Sequence, residues 1–307
     1  MAISLAFVCL GFAAVNDFVF KLFARKSRSR GIFVFAVGVV FVAVLAFLPD
    51  WWGESWRATL LWGVVCGLFS AVGNLFLIES MSRLGAGLCS TVYRLNLALV
   101  VPMAVVLFDE SPLWYQWIGV ALALVAVLAF MPVGEKRTVG RKLDYVLVIL
   151  AMVFRAGMGL SYKYAFLAGA SSNGVQIVNA WVWMVCGAVY YLWRERRMFG
   201  LRAAFAPAVL GYGALSGALV AGIIYFMAAS LCLGDASVVL PIQQMSFLAT
   251  FFLGVVFLKE KVSWRKAFAL GCGVAALLLL SCSVPSGARE GGEESPLGTT
   301  AAERTER

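Results

Sequence analysis

The chain has 307 residues, of which 62% are hydrophobic and only 13% charged, with a formal net charge of +9 and no histidine. A soluble protein carries roughly a quarter charged residues, so this composition excludes an ordinary water-facing domain and points to lipid as the solvent. The basic surplus lies in links between long apolar runs rather than on a domain large enough to dock a duplex, so no nucleic acid partner is expected and the lipid bilayer is.

In a bilayer core every backbone amide has to be satisfied within its own segment, so apolar runs of about 20 residues read as membrane-crossing helices. The first run, Ala2 to Phe23, lacks a basic leading segment and a small-residue cleavage site and carries Asn16, Asp17 and Lys21; it reads as a retained helix, not a signal peptide. A basic link follows, then a second run from Gly31 to Leu48, closed by Pro49-Asp50 and a Trp51-Trp52 pair suited to the headgroup level. The third run spans about Ala58 to Ile78, with Glu79 and Arg83 at its end. Runs four and five fill Leu84 to Phe130 around the acidic turn Asp109-Glu110-Ser111-Pro112. After the basic connector Gly134 to Lys142 come run six (Leu143 to Leu167), run seven (Gly174 to Trp193) and run eight (Pro207 to Leu231). Runs nine and ten occupy Gly234 to Leu280 around Lys259-Glu260-Lys261-Val262-Ser263-Trp264. From 285 to 307 the composition turns to Pro, Gly, Glu and Thr, which cannot bury enough apolar surface to order itself, so a disordered tail is expected.

The stretch Leu84 to Phe130 returns, altered, at Gly234 to Leu280: Glu110 and Trp114 align with Glu260 and Trp264, and Tyr93-Arg94 with Gln243-Gln244. Lys21 and Lys163 match in the first run of each half. Self-similarity at half the chain length marks two copies of one unit. Five runs per copy is an odd number, so the second copy enters the membrane from the opposite side. The expected fold is therefore all-α integral membrane, with ten transmembrane helices in two inverted five-helix repeats: residues 1–132 and 143–284, joined by the connector 133–142 and followed by the tail 285–307. Inverted repeats are transporter architecture. Connectors after odd-numbered runs carry seventeen Lys and Arg, whereas those after even-numbered runs carry only Arg57, so the odd connectors are expected in the cytoplasm and both termini outside.

Charges at membrane depth are costly and usually face a partner or a watery cavity. Arg94 stands about eight residues into run four, roughly 12 Å deep, between Tyr93 and Asn96. It is the leading candidate for a substrate's charged group; the alternative is a brace to a neighbouring helix. Arg155, next to Phe154 and the small residues Gly157 and Gly159, is as deep in run six. Asp17, beside Asn16, is positioned to neutralise Arg94 or Arg155, or to bind a proton or cation. Lys21, Lys163 and Glu79 sit near run ends, where long side chains reach back to the interface. Gln243 and Gln244 are expected to meet Tyr93 and Arg94 near the midplane, with Pro241 loosening backbone carbonyls just before them. Gln176, Asn179, Trp183 and Tyr225 are lesser candidates for a cavity wall.

The seven cysteines all fall inside apolar runs without a CxxC pair and read as small hydrophobes. With no imidazole and no clustered thiolates, neither metal nor other cofactor is expected. No GxGxxG, GxxxxGK or HExxH motif is present, which leaves no nucleotide-binding or metalloprotease device.

Two five-run halves, each with an acidic turn before its last run, make residues 2 to 284 similar to EamA-type members of the drug/metabolite transporter superfamily. The turn Lys259-Glu260-Lys261-Val262-Ser263 resembles that family's Gly-Glu-x-x-Ser pattern with Lys259 in place of Gly, and Asp17 to Lys21 resembles its polar end of helix one. Leu97 and Phe247 stand where members often have a proline. Many members keep their termini in the cytoplasm, the reverse of what the charges here predict. The resemblance implies a secondary transporter of small organic solutes, not an enzyme. Arg94, Arg155, Lys21 and Lys163 outnumber Asp17 and Glu79, so the expected substrate carries an anionic group, such as an amino acid. The alternatives are a proton-coupled exporter of lipophilic cations using Asp17, and a flippase of lipid-linked substrates.

Overall fold

The computed structural model describes residues 1–24, 26–48, 51, 55–84, 86–129, 142–258 and 263–282. The tail expected at 285–307, most of the central connector, Glu260 and the Lys21 side chain lie outside the described residues. The described residues form α1 (Ala2–Ala24), α2 (Arg30–Leu45), α3 (Trp56–Leu84), α4 (Ala86–Arg94), α5 (Leu97–Phe108), α6 (Trp114–Ala129), α7 (Lys142–Leu167) and α8 (Ser172–Tyr190). A π-helical turn, Tyr191–Glu195, extends α8, and α9 (Leu201–Ala204), α10 (Pro207–Leu233), α11 (Ala236–Gln244), α12 (Ser246–Leu258) and α13 (Trp264–Ser281) follow.

Local chemistry explains several starts. Ser29 and Ser171 cap α2 and α8 by accepting from the amides of Ile32 and Gly174, which satisfies donors a helix start leaves orphaned. Pro207 opens α10, where its missing N–H costs nothing. Eight helical stretches are long and apolar enough to cross a membrane, and two shorter apolar helices, Arg30–Leu45 and Trp114–Ala129, stand where runs two and five were expected.

Runs four and nine are not the continuous helices the sequence suggests. Run four breaks at Leu95–Asn96, between α4 and α5, and run nine at Met245, between α11 and α12. Both breaks follow from tightened turns: the Leu95 and Asn96 amides bond to Val92 and Tyr93, and the Met245 amide to Ile242, three residues back instead of four. They fall at the same place in the repeated stretch, immediately after Arg94 and after its counterpart Gln244. Pro241 sits inside α11, so the break comes four residues beyond it and not ahead of the glutamines.

The helices pack in pairs. α1 lies on α10 and α3 on α7; α2 lies between α8 and α10, α3 also touches α8, and α6 pairs with α13. α1 runs along α11 and α12, while α7 runs along α4 and α5. Small residues set the closest approaches: a Cβ on Gly38 would stand 2.6 Å from the Met184 nitrogen, and one on Gly31 would stand 2.6 Å from that of Tyr191. Close backbone contact of this kind is how helices associate where lipid removes the hydrophobic drive between them.

Candidate functional site

The two breaks and the middle of α1 and α7 converge on one cluster of polar groups. Arg94, the last residue of α4, is 8% exposed. Its Nη2 donates to Asp17 Oδ2 at 2.5 Å, and its Nη1 donates to the Gln244 carbonyl and to Ser246 Oγ, both at 3.1 Å. The Ser246 hydroxyl reaches Asp17 as well, at 3.3 Å, and the guanidinium lies over the Phe247 ring at 5.3 Å. Arg94 therefore ties α4 to α1 and closes the break between α11 and α12, where the half-helix end leaves a carbonyl unpaired. Two atoms at the breaks, Arg94 Nε and Asn96 Oδ1, are buried without a hydrogen-bond partner among the described residues, while Asn96 Nδ2 donates to the Tyr93 carbonyl at 2.7 Å.

Arg155 approaches the same place from α7. Its guanidinium lies 6.0 Å from the Tyr93 ring centre, and its Nη1 meets the weak acceptor Sδ of Met158, at 3.7 Å. Among the described residues no carboxylate lies within salt-bridge distance of it. Tyr93, next to Arg94 in sequence and beneath the Arg155 guanidinium, links the Arg94–Asp17 pair to Arg155, so the site gathers two cations and one anion.

Each half of the chain contributes to this cluster, and a family profile matches each half. The EamA-like transporter family matches residues 1–131 and again 142–282. The chain belongs to the EamA-like transporter family. A solved structure described only as "Crystal structure of protein" superposes with a TM-score of 0.73 at 14% identity, covering 91% of this chain and 95% of its own, a likeness of fold alone. No curated protein matches the chain. It is a multi-pass membrane transporter.

In this EamA-like protein the other expected site residues are held elsewhere. Asn16 accepts from Ser216 Oγ at 2.6 Å and so joins α1 to α10. Asn179 accepts from Ser70 Oγ at 2.8 Å and donates to the Tyr162 hydroxyl at 2.6 Å, in a buried group that also takes in Trp183 Nε1. Gln243 turns to Ser230 Oγ at 3.0 Å, and what Gln244 brings to Arg94 is its backbone carbonyl rather than its side chain. Tyr225 lies on the outside of the bundle, 40% exposed.

Of the side chains expected to reach for the interface, Glu79 and Lys163 have partners within the protein. Glu79 accepts from Arg30 Nη1 and the Tyr190 hydroxyl, both at 2.7 Å, and from Arg194 Nη2 at 3.2 Å. Lys163 donates to the carbonyls of Leu231 (3.0 Å) and Gly234 (2.8 Å), at the negative end of α10. Sequence reasoning missed two functional-looking contacts altogether. Glu110 accepts from the amides of Ala236 and Ser237, both at 2.8 Å, and Glu195, 2% exposed, accepts from Ser29 Oγ, Arg30 N and Gly31 N. The recurrence of the acidic turn was the available signal for Glu110; none existed for Glu195.

Proposed function

We propose that this EamA-like protein is a secondary transporter in the cytoplasmic membrane. It moves a small organic metabolite with an anionic group, such as an amino acid, by alternating access between two inverted five-helix halves. In this reading the two shorter apolar helices also cross, giving ten spans. Its support is that the packing repeats when the halves are exchanged: α1 on α10 matches α7 on α3, and α2 on α10 matches α8 on α3. Breaks at equivalent places in both halves fit the same picture, because transporters build midplane sites from discontinuous helices.

The observation that carries the substrate class is the charge balance of the cluster. Asp17 already neutralises Arg94, whereas Arg155 is a membrane-depth cation with no carboxylate within reach among the described residues. A substrate's anionic group supplies that missing charge, with Tyr93 packing beside it. The lipophilic-cation reading needs an available carboxylate, and among the described residues Asp17, the candidate at this depth, is taken by Arg94.

The experiment is uptake of a panel of labelled amino acids and carboxylic acids into proteoliposomes, beside their uncharged amide analogues. An acid should be moved and its amide rejected. Arg155→Gln should weaken apparent affinity by roughly ten- to a hundredfold, the scale of a charged hydrogen bond lost in a dry site. Arg155→Lys should recover only part, because an ammonium lacks the bidentate fork. Unchanged affinity in folded Arg155→Gln would remove it from the site.

A further inference from the structure

Helix α11 is nine residues long, and every one of them is buried. Short non-helical links bound it at both ends, Gly234–Asp235 behind and Met245 ahead. Charged side chains from the other half of the chain hold both of its termini. Glu110 takes the first two amides, and Arg94 donates to the last carbonyl. A carboxylate at the N-terminus and a cation at the C-terminus match the helix dipole at each end. Lys163 fixes the preceding turn through the Leu231 and Gly234 carbonyls. A segment unlinked from regular helix at both ends, and held there by side chains, moves as a unit when one end is released.

We propose that α11 is a coupling rod of the transport cycle, with Glu110 a positioning residue that links the Arg94–Asp17 pair to the Gly234–Asp235 turn, roughly 13 Å away along the helix. Arg94 divides its donors among Asp17, Ser246 and the Gln244 carbonyl. Any shift of Arg94 within that set changes the hold on the C-terminal end of α11. Because Glu110 holds the other end, the shift is felt at the turn between α10 and α11. This inference rests on the family's transport activity and not on the choice of substrate.

The test is hydrogen exchange by mass spectrometry on the full chain in nanodiscs, without added ligand, read over peptides covering 236–244. Glu110→Gln and Arg94→Gln should each speed exchange across the whole helix by about tenfold, the loss of one charge-assisted hydrogen bond. Glu110→Asp, which keeps the charge, should restore most of the protection. In the double variant exchange should be no faster than in the faster single one, because the first release already frees the rod. Sites more than 10 Å apart without a shared element simply add. Fully additive effects, or faster exchange confined to the end nearest each substitution, would overturn the proposal. Should Arg94→Gln not fold, Ser246→Ala removes one Arg94 contact with the ion pair intact and takes its place in the cycle.

Discussion

At the scale of single residues, Arg94, Lys163 and Glu195 each stand against an opposite charge or several polar groups, the condition under which a charge survives away from water. Glu195 shows what such a residue supports. Its carboxylate takes the Ser29 hydroxyl at 2.7 Å and the Arg30 and Gly31 amides at 3.0 Å, so it supplies the start of α2 with acceptors from the far end of run seven. Glu195→Ala leaves those donors buried without acceptors and should lower stability by about 1–3 kcal/mol, whereas Glu195→Gln retains an oxygen and should cost less. Thermal unfolding in detergent checks this, and equal melting of the two variants would deny Glu195 the role. Ser70 offers a neutral counterpart, since it accepts from Trp183 Nε1 at 2.6 Å and donates to Asn179 at 2.8 Å. Ser70→Ala should cost a comparable ~1–3 kcal/mol, and a melting point at the wild-type value would show that Trp183 finds another acceptor. The sequence made Asp17 and Arg94 legible as charges at depth but left two arginines open as partners of Asp17. Spacing gives depth along a helix, whereas pairing depends on which way each helix is turned. The Glu110 contact joins residues 126 apart in sequence and had no local signature.

At the scale of elements, lengths and apolar character made the helices readable, while the features that build the site were hidden. Neither break has a glycine or proline at its turn: Leu95 and Met245 carry no breaking signal, Asn96 carries a weak one through its backbone-bonding side chain, and Pro102 and Pro241 both lie inside helices. The turn at Met245 is stabilised from outside, by Arg94 on the Gln244 carbonyl, whereas the turn at Leu95–Asn96 is held locally, by the Asn96 side chain on the Tyr93 carbonyl. The short α9 and the π-turn after α8 were likewise not read: α9 lies in the basic connector, and the π-turn, Tyr191–Glu195, continues the end of run seven. Helix crossings give a direct test of the packing. Gly38 faces the Met184 backbone nitrogen, where an added Cβ would stand at 2.6 Å, whereas Gly271, also within a helix, meets nothing within 4 Å. Gly38→Ala should therefore destabilise by about 1–3 kcal/mol through overpacking between α2 and α8. Gly271→Ala should be neutral or stabilising by up to about 1 kcal/mol from helix propensity. Equal melting points for the two would mean that α2 and α8 are not held at this crossing.

At the scale of the molecule, the side-to-side arrangement of charges sets the orientation we expect. Among the described residues, contacts near the helix ends gather into two groups. Arg30, Glu79, Tyr190, Arg194 and Glu195 meet where runs one, three and seven give way to odd-numbered connectors. Glu110 meets the α10–α11 turn, and Ser171 donates its amide to Thr59, among residues of even-numbered connectors or next to them. The odd end is the basic one, with seventeen Lys and Arg in its connectors against Arg57 alone at the other. Short basic connectors resist translocation, so the odd end should face the cytoplasm and both termini should lie outside, opposite to the many relatives whose termini are cytoplasmic. A reporter that is active only in the cytoplasm should be silent when fused behind Arg307 and active when inserted after Gly200, in the connector before α10. The reverse pattern would show that folding of the paired halves, and not the positive charge of individual links, decides how this chain sits in the membrane.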